Sequence, residues 1–96
     1  MKCYVYILHS PSSDKFYVGQ TANLEQRLLE HNETSTKSFT SKYRPWILKT
    51  SFEMPSRSAA MKLEKYLKKK NRAFLQRAFD DIPLQEYLLN KFSSDG

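Results

Sequence analysis

The chain has 96 residues, 16 of them Lys or Arg against 10 Asp or Glu, for a formal net charge of +6 and a pI near 9.5. That length suits one domain and leaves no room for a second independent core. A single cysteine, Cys3, excludes an intramolecular disulfide framework. A hydrophobic content of 40% with 14% aromatics excludes a disordered basic tail. No apolar run reaches the roughly 18–20 residues needed to span a bilayer. The opening Met1-Lys2-Cys3-Tyr4 does not read as a signal peptide. A cytoplasmic protein without a membrane partner is the expectation.

The first element is Cys3 to Leu8 (CYVYIL), apolar or aromatic at every position, which predicts a central strand covered on both faces. Turn residues follow at 9–14, and Phe16-Tyr17-Val18-Gly19 is a second short strand, so the two form a hairpin. The expected register sets Tyr6 opposite Tyr17. Asn23 is an N-cap with Gln26 as its capping-box partner, opening a helix to His31 or Asn32. Residues 33–45 are polar, rich in Ser and Thr, and read as a long loop. Trp46, Leu48, Thr50 and Phe52 alternate with Ile47, Lys49, Ser51 and Glu53, which predicts a third strand with the first four on one face. Ser56 caps the next helix, whose apolar stripe is Ala60, Leu63 and Leu67. A further helix spans about Arg72 to Phe79, and Asp80-Asp81-Ile82-Pro83 begins a last short one through Phe92. The order β-β-α-β-α-α predicts an α/β (α+β) domain with a three-stranded antiparallel sheet flanked by helices. Residues 1–79 form its body, and 80–96 a helical extension of the same domain.

The charge is concentrated. Between Arg57 and Arg77 lie eight basic residues and one acid, Glu64, leaving the rest of the chain at −1. Such asymmetry suits a polyanion, most simply nucleic acid, through Lys62, Lys65, Lys68, Lys69 and Arg72. A solvated helix face is the plain alternative.

Three features depart from simple packing. Leu24, Arg27, Leu28 and His31 fall on one helix face by their i, i+3, i+4, i+7 spacing. An unpaired buried cation there costs on the order of several kcal/mol, so Arg27 either snorkels to the rim or points into a polar cleft. Glu64 sits about 40° from Ala60 on the helical wheel, beside the apolar stripe. It either pairs with Lys68 at i+4 or faces a cleft. Tyr4 and Tyr6 share a strand face, as do Tyr17 and Gly19, and Gly19 is either a turn residue or a point of close approach. No Gly-rich phosphate loop, zinc-spaced Cys/His cluster or glycosidase-like carboxylate pair is present.

Tyr4-Val5-Tyr6, then Tyr17-Val18-Gly19, Arg27 ten residues after Tyr17, His31 one turn later and Glu64 downstream together resemble the GIY-YIG nuclease superfamily. The stretch from Arg44 to Lys69 is similar to its small stand-alone bacterial members, which are related to the nuclease domain of the excinuclease C subunit. The resemblance runs from about residue 3 to 78. It implies an endonuclease that hydrolyses DNA phosphodiesters with one divalent ion, Mg²⁺ or Mn²⁺, in repair or recombination. By that resemblance Tyr17 is the general base, Tyr6 positions the water or Tyr17, and Arg27 neutralises the phosphate. Glu64 holds the metal, and His31 supports the site. A tyrosine ordinarily titrates near 10, so the base role requires a nearby cation. Tyr4 replaces the first Gly of the pattern, Gln20 stands where related members often carry Lys, and Asn71 is the candidate for the pattern's late Asn.

The implied partner is DNA, with RNA also open, for a monomer or weak dimer that joins a repair protein. The competing readings are a non-catalytic nucleic-acid-binding module and a repair-complex adaptor. Catalysis predicts that Tyr6, Tyr17, Arg27 and Glu64 converge on one open patch. A Glu64 turned out to Lys68 argues against metal binding.

Overall fold

A computed structural model describes residues 2–34 and 42–93. It contains β1 (Cys3–Ser10), β2 (Lys15–Thr21), α1 (Leu24–Leu29), a π-helical turn (Glu30–Thr34), β3 (Ile47–Met54), α2 (Arg57–Lys68), α3 (Arg72–Asp80) and α4 (Ile82–Ser93). The strands form one antiparallel sheet in the order β2-β1-β3. β1 is central, as its unbroken apolar run predicts: its middle residues, Val5 to Leu8, are buried whichever way they point. The loop expected over residues 33–45 falls largely outside the described residues.

The hairpin register differs from expectation by two residues. Tyr6 pairs with Gly19, and Tyr17 with Leu8. The reason is the turn. Residues 11–14 form a four-residue loop, closed by a 2.7 Å hydrogen bond from the Asp14 amide to the Ser10 carbonyl, with Asp14 in the left-handed region at φ 54°. An even shift leaves every side chain on its expected face, because strand side chains alternate with period two. Tyr6 and Tyr17 therefore still share a face.

β3 departs further. A bulge opposite Ile7 and Leu8 pairs Leu48 with Leu8 but Thr50 with Ile7. One extra residue reverses the alternation. Trp46 and Leu48 thus join Tyr6, Leu8, Tyr17, Leu24 and Leu28 in a small cluster under α1. Phe52 and Met54 join the larger cluster on the opposite face, with Val5, Ile7, Leu63, Leu67, Leu75 and Leu88. The sheet is a wall between two unequal cores, and α1 covers the smaller.

The helix starts follow local chemistry. Asn23, Ser56 and Asn71 are N-caps whose side chains accept from the backbone amides of Gln26, Ala59 and Phe74. Asn71, the candidate for the late Asn of the pattern, commits its side-chain oxygen to α3. α2 buries Ala59, Ala60, Leu63 and Leu67 against the sheet, matching its expected stripe. α4 packs on α2, α3 and β3 and contributes Leu88 to the larger core. Arg72 at the start of α3 grips the hairpin, pairing with the Asp14 carboxylate, donating to the Asp14 carbonyl at 3.0 Å and lying over the Phe16 ring. Among the described residues no helix is long and apolar enough to cross a membrane.

Candidate active site

The face of the sheet under α1 carries the polar cluster. Tyr6 is 1% exposed, a depth that demands a partner for its hydroxyl. His31 supplies one: its Nε2 lies 2.8 Å from the Tyr6 oxygen. His31 is itself buried, delivered there by the π-helical turn that ends the first helix. A π turn inserts one residue into the helical repeat and re-aims the side chains beyond it.

That turn is pinned from outside the helix. Arg44 donates through Nε to the His31 carbonyl at 2.6 Å and through its terminal nitrogen to the Glu30 carbonyl at 3.2 Å. Asn32 donates to the Trp46 carbonyl at 3.1 Å and accepts from the Trp46 amide at 2.6 Å. Arg44 and Asn32 carried no sequence signal, because neither has a local partner that spacing could reveal.

Tyr17 packs edge-on to His31, with ring centroids 4.9 Å apart, and edge-on to Trp46 at 6.2 Å. The Tyr6 and Tyr17 rings are 6.3 Å apart. Arg27 resolves its alternatives at the rim. Its side chain is 45% exposed and pairs with Glu30 at 3.0 Å, and its charge acts on Tyr6 and His31. Tyr6, Tyr17 and His31 thus come together on one face of the sheet, with Arg27 at its rim.

The protonation states follow from this arrangement. Burial drives the Tyr6 pKa up to about 12, against the opposing pull of Arg27. Burial first, and then the Arg27 charge, hold His31 below its ordinary value. Tyr6 is therefore a phenol and His31 a neutral imidazole near pH 7. The phenol and the neutral imidazole share one hydrogen bond across the 2.8 Å contact. Tyr6 is a fixed hydrogen-bonding post and a poor base.

A linkage prediction follows. Between about pH 10 and 12 the unfolded chain releases the Tyr6 proton while the folded chain keeps it, so stability falls as pH rises through that window. The full effect is roughly 2–3 kcal/mol. Denaturant titrations at stepped alkaline pH should show this loss in wild type and lack it in Tyr6→Phe. That variant should also lose about 1–3 kcal/mol near neutrality by orphaning His31 Nε2.

Gly19 is neither a turn residue nor an opening for a ligand. A Cβ placed on it would lie 2.5 Å from the Tyr6 hydroxyl oxygen, 2.7 Å from its Cζ and 3.0 Å from a ring carbon of Tyr17. The Tyr6 ring crosses its cross-strand partner where only a hydrogen fits. Gly19→Ala is expected to cost about 1–3 kcal/mol by overpacking and to push the Tyr6 hydroxyl off His31. Thermal unfolding, with the His31 ring resonances followed by NMR, checks both.

Glu64 stands at the margin. It pairs with Lys68 at 3.1 Å, and its side chain is 20% exposed. Its charge nevertheless reaches Tyr6, adding to the rise in that residue's pKa. Of the two sequence alternatives the structure realises the pairing along the helix, the arrangement that argues against metal binding. Among the described residues no three His, Cys, Asp or Glu side chains gather to hold a metal. A single hard carboxylate does match Mg²⁺, which keeps most of its waters and takes one or two carboxylates plus phosphate oxygens.

The basic residues around α2 differ in their surroundings. Lys62, Lys65 and Lys69 lie on its exposed side. Lys68 is held by Glu64, and Arg72 is committed to Asp14.

A small α+β sheet with tyrosines, an arginine and a histidine on one face defines a class, and comparison with known proteins agrees. Residues 2–77 match the family described as the GIY-YIG catalytic domain, so the chain belongs to the GIY-YIG family. Among its relatives, a UPF0213 protein of Natronomonas pharaonis is 35% identical over 78 residues, covering 81% of this chain and 91% of that one. A UPF0213 protein of Syntrophus aciditrophicus is 42% identical over 74 residues, covering 75% and 83%. The solution NMR structure of a UPF0213 protein from Bacillus halodurans superimposes with a TM-score of 0.51 at 27% identity, covering 80% of this chain and 81% of that one.

Proposed function

We propose that the protein is a metal-dependent endonuclease hydrolysing DNA phosphodiester bonds. The observation that carries this reading is the meeting of Tyr6, Tyr17 and His31 on one face of the sheet, beneath the helix that carries Arg27. Phosphodiester hydrolysis concentrates negative charge on the phosphoryl oxygens, and a fixed cation there lowers the barrier. Arg27 is that cation, at the rim with its guanidinium paired to Glu30. Tyr17, half-buried, takes the proton of the attacking water as a phenolate, becoming a neutral phenol. Tyr6 keeps its own proton and, tied to His31, fixes the water and the Tyr17 ring.

Glu64 would hold a divalent cation. Its pair with Lys68 contributes only about 0.3–0.5 kcal/mol, so Glu64 leaves Lys68 at little cost. Such an ion, when bound, supplies charge neutralisation at the leaving oxygen. Lys62, Lys65 and Lys69 track the strand backbone.

The Glu64–Lys68 pair also favours a second reading, a nucleic-acid-binding module or repair-complex adaptor that keeps the fold without the chemistry. A panel of linear, nicked, flapped and branched DNA, incubated with Mg²⁺ or Mn²⁺, separates the two. The nuclease reading expects metal-dependent nicking that disappears in Glu64→Ala while binding survives. Salt-sensitive binding with no cut in any substrate leaves the binding module as the function.

A further inference from the structure

A cleft of about 280 Å³ opens where the end of β2, the start of α1 and the start of α2 meet, lined by Cys3, Gln20, Thr21, Ala22, Arg27 and Arg57. Its chemistry is one-sided. Two arginines line it with Gln20 and Thr21, and no Asp or Glu is among the lining residues. The Thr21 hydroxyl is engaged with the Asn23 backbone. Arg27 is balanced by Glu30. Arg57, exposed at the first position of α2, has no ion pair or hydrogen bond among the described residues.

Two like charges lining one cleft repel each other, and an anion between them turns that repulsion into attraction. Planar guanidinium forks match the oxygens of a phosphate group better than those of any spherical anion. Arg27 belongs at once to this cleft and to the tyrosine cluster, so a ligand here lies beside the proposed reaction centre.

We propose that this cleft is a second phosphate subsite, in which Arg57 together with Arg27 holds a phosphate group neighbouring the one that is cut. The source of that phosphate rests on the nuclease reading. Arg57 touches the strand and not the reacting phosphorus, so it is a positioning residue. It orients the strand so that Arg27 meets the correct phosphoryl group.

Isotope-labelled full-length protein titrated with inorganic phosphate, followed by NMR, tests the subsite without cleavage. The amides of Gln20, Thr21 and Arg57 are expected to shift, and Arg57→Gln should weaken that binding about tenfold, the loss of one charge-assisted contact of about 1.4 kcal/mol. For a single-stranded oligonucleotide, the slope of log affinity against log salt should fall by about 0.7 in the same variant. Arg57→Lys should keep the salt slope but lose part of the affinity. Lys91→Gln, on α4, should change neither.

Oligonucleotides with a 5′-phosphate or a 5′-hydroxyl separate the sources: equal binding assigns an internal phosphate, and tighter binding of the phosphorylated strand assigns a terminal one. Unchanged phosphate binding in Arg57→Gln, or shifts confined to other residues, overturns the subsite. Phosphate captured in the cleft by a protein that cuts nothing leaves the subsite standing and removes the nuclease reading. Full cleavage with an unaltered salt slope in Arg57→Gln does the reverse.

Discussion

Tyr17→Phe is expected to keep the fold and DNA affinity of the protein while lowering cleavage by about 10²–10⁴-fold, the range a general base contributes. The substitution deletes one oxygen and leaves the ring that packs against His31 and Trp46. Its effect on stability should be small, because that hydroxyl is not the anchor of the cluster. Tyr6→Phe makes the contrast. There the deleted oxygen is the buried one bonded to His31, so stability should fall together with activity. Single-turnover cleavage combined with denaturant unfolding of the two variants separates a chemical role from a positioning one. If the two lose stability equally, or if Tyr17→Phe cuts at the wild-type rate, the assignment of Tyr17 as base fails.

Arg27→Ala should lower cleavage by about 10²–10³-fold, the effect of removing one preorganised charge stabiliser. A second readout does not depend on activity. The Arg27 charge depresses both the His31 and the Tyr6 pKa, so its removal should raise both. The sign follows from charge: a neighbouring cation disfavours imidazolium and favours phenolate. NMR titration of the His31 ring in wild type and Arg27→Ala measures the first shift. Arg27→Lys should restore part of the His31 shift through its charge and little of the cleavage, because ammonium lacks the guanidinium fork. A His31 that titrates unchanged in Arg27→Ala would place the guanidinium away from the cluster and remove its claim on the phosphate.

Each of these expectations depends on how the cluster is held, and the holding residues differ in how visible they are in the sequence. Asn23, Ser56 and Asn71 announce their helices because a cap bonds to an amide three positions along the same chain. The stripe of α2 and the centrality of β1 are likewise visible, since burial on one face or on both imposes a pattern on neighbouring residues. Arg44 and Asn32 belong to the other kind. They bind the π-helical turn and the entry to β3 across more than ten residues, and no spacing encodes such a contact.

The tyrosine triplets, Arg27, His31 and Glu64 could be read from residue type and spacing, together with the face each would take on its element. Those properties are local, and period-two and period-3.6 geometry turns them into faces without reference to the rest of the chain. The excess of positive charge over Arg57 to Arg77 was equally plain. Register was not. The four-residue turn moved the hairpin by two positions, and the bulge in β3 sent Leu48 and Phe52 to opposite cores. Charge placement was legible only where it is local: the Glu64–Lys68 pair lies one helical turn apart and was among the sequence alternatives. Arg72, drawn to Asp14, and Arg57, one basic residue among eight in the sequence, which lines the cleft shared with Arg27, were not. Turn closure, packing and long-range pairing settle these points, because their free energies arise only when distant segments meet.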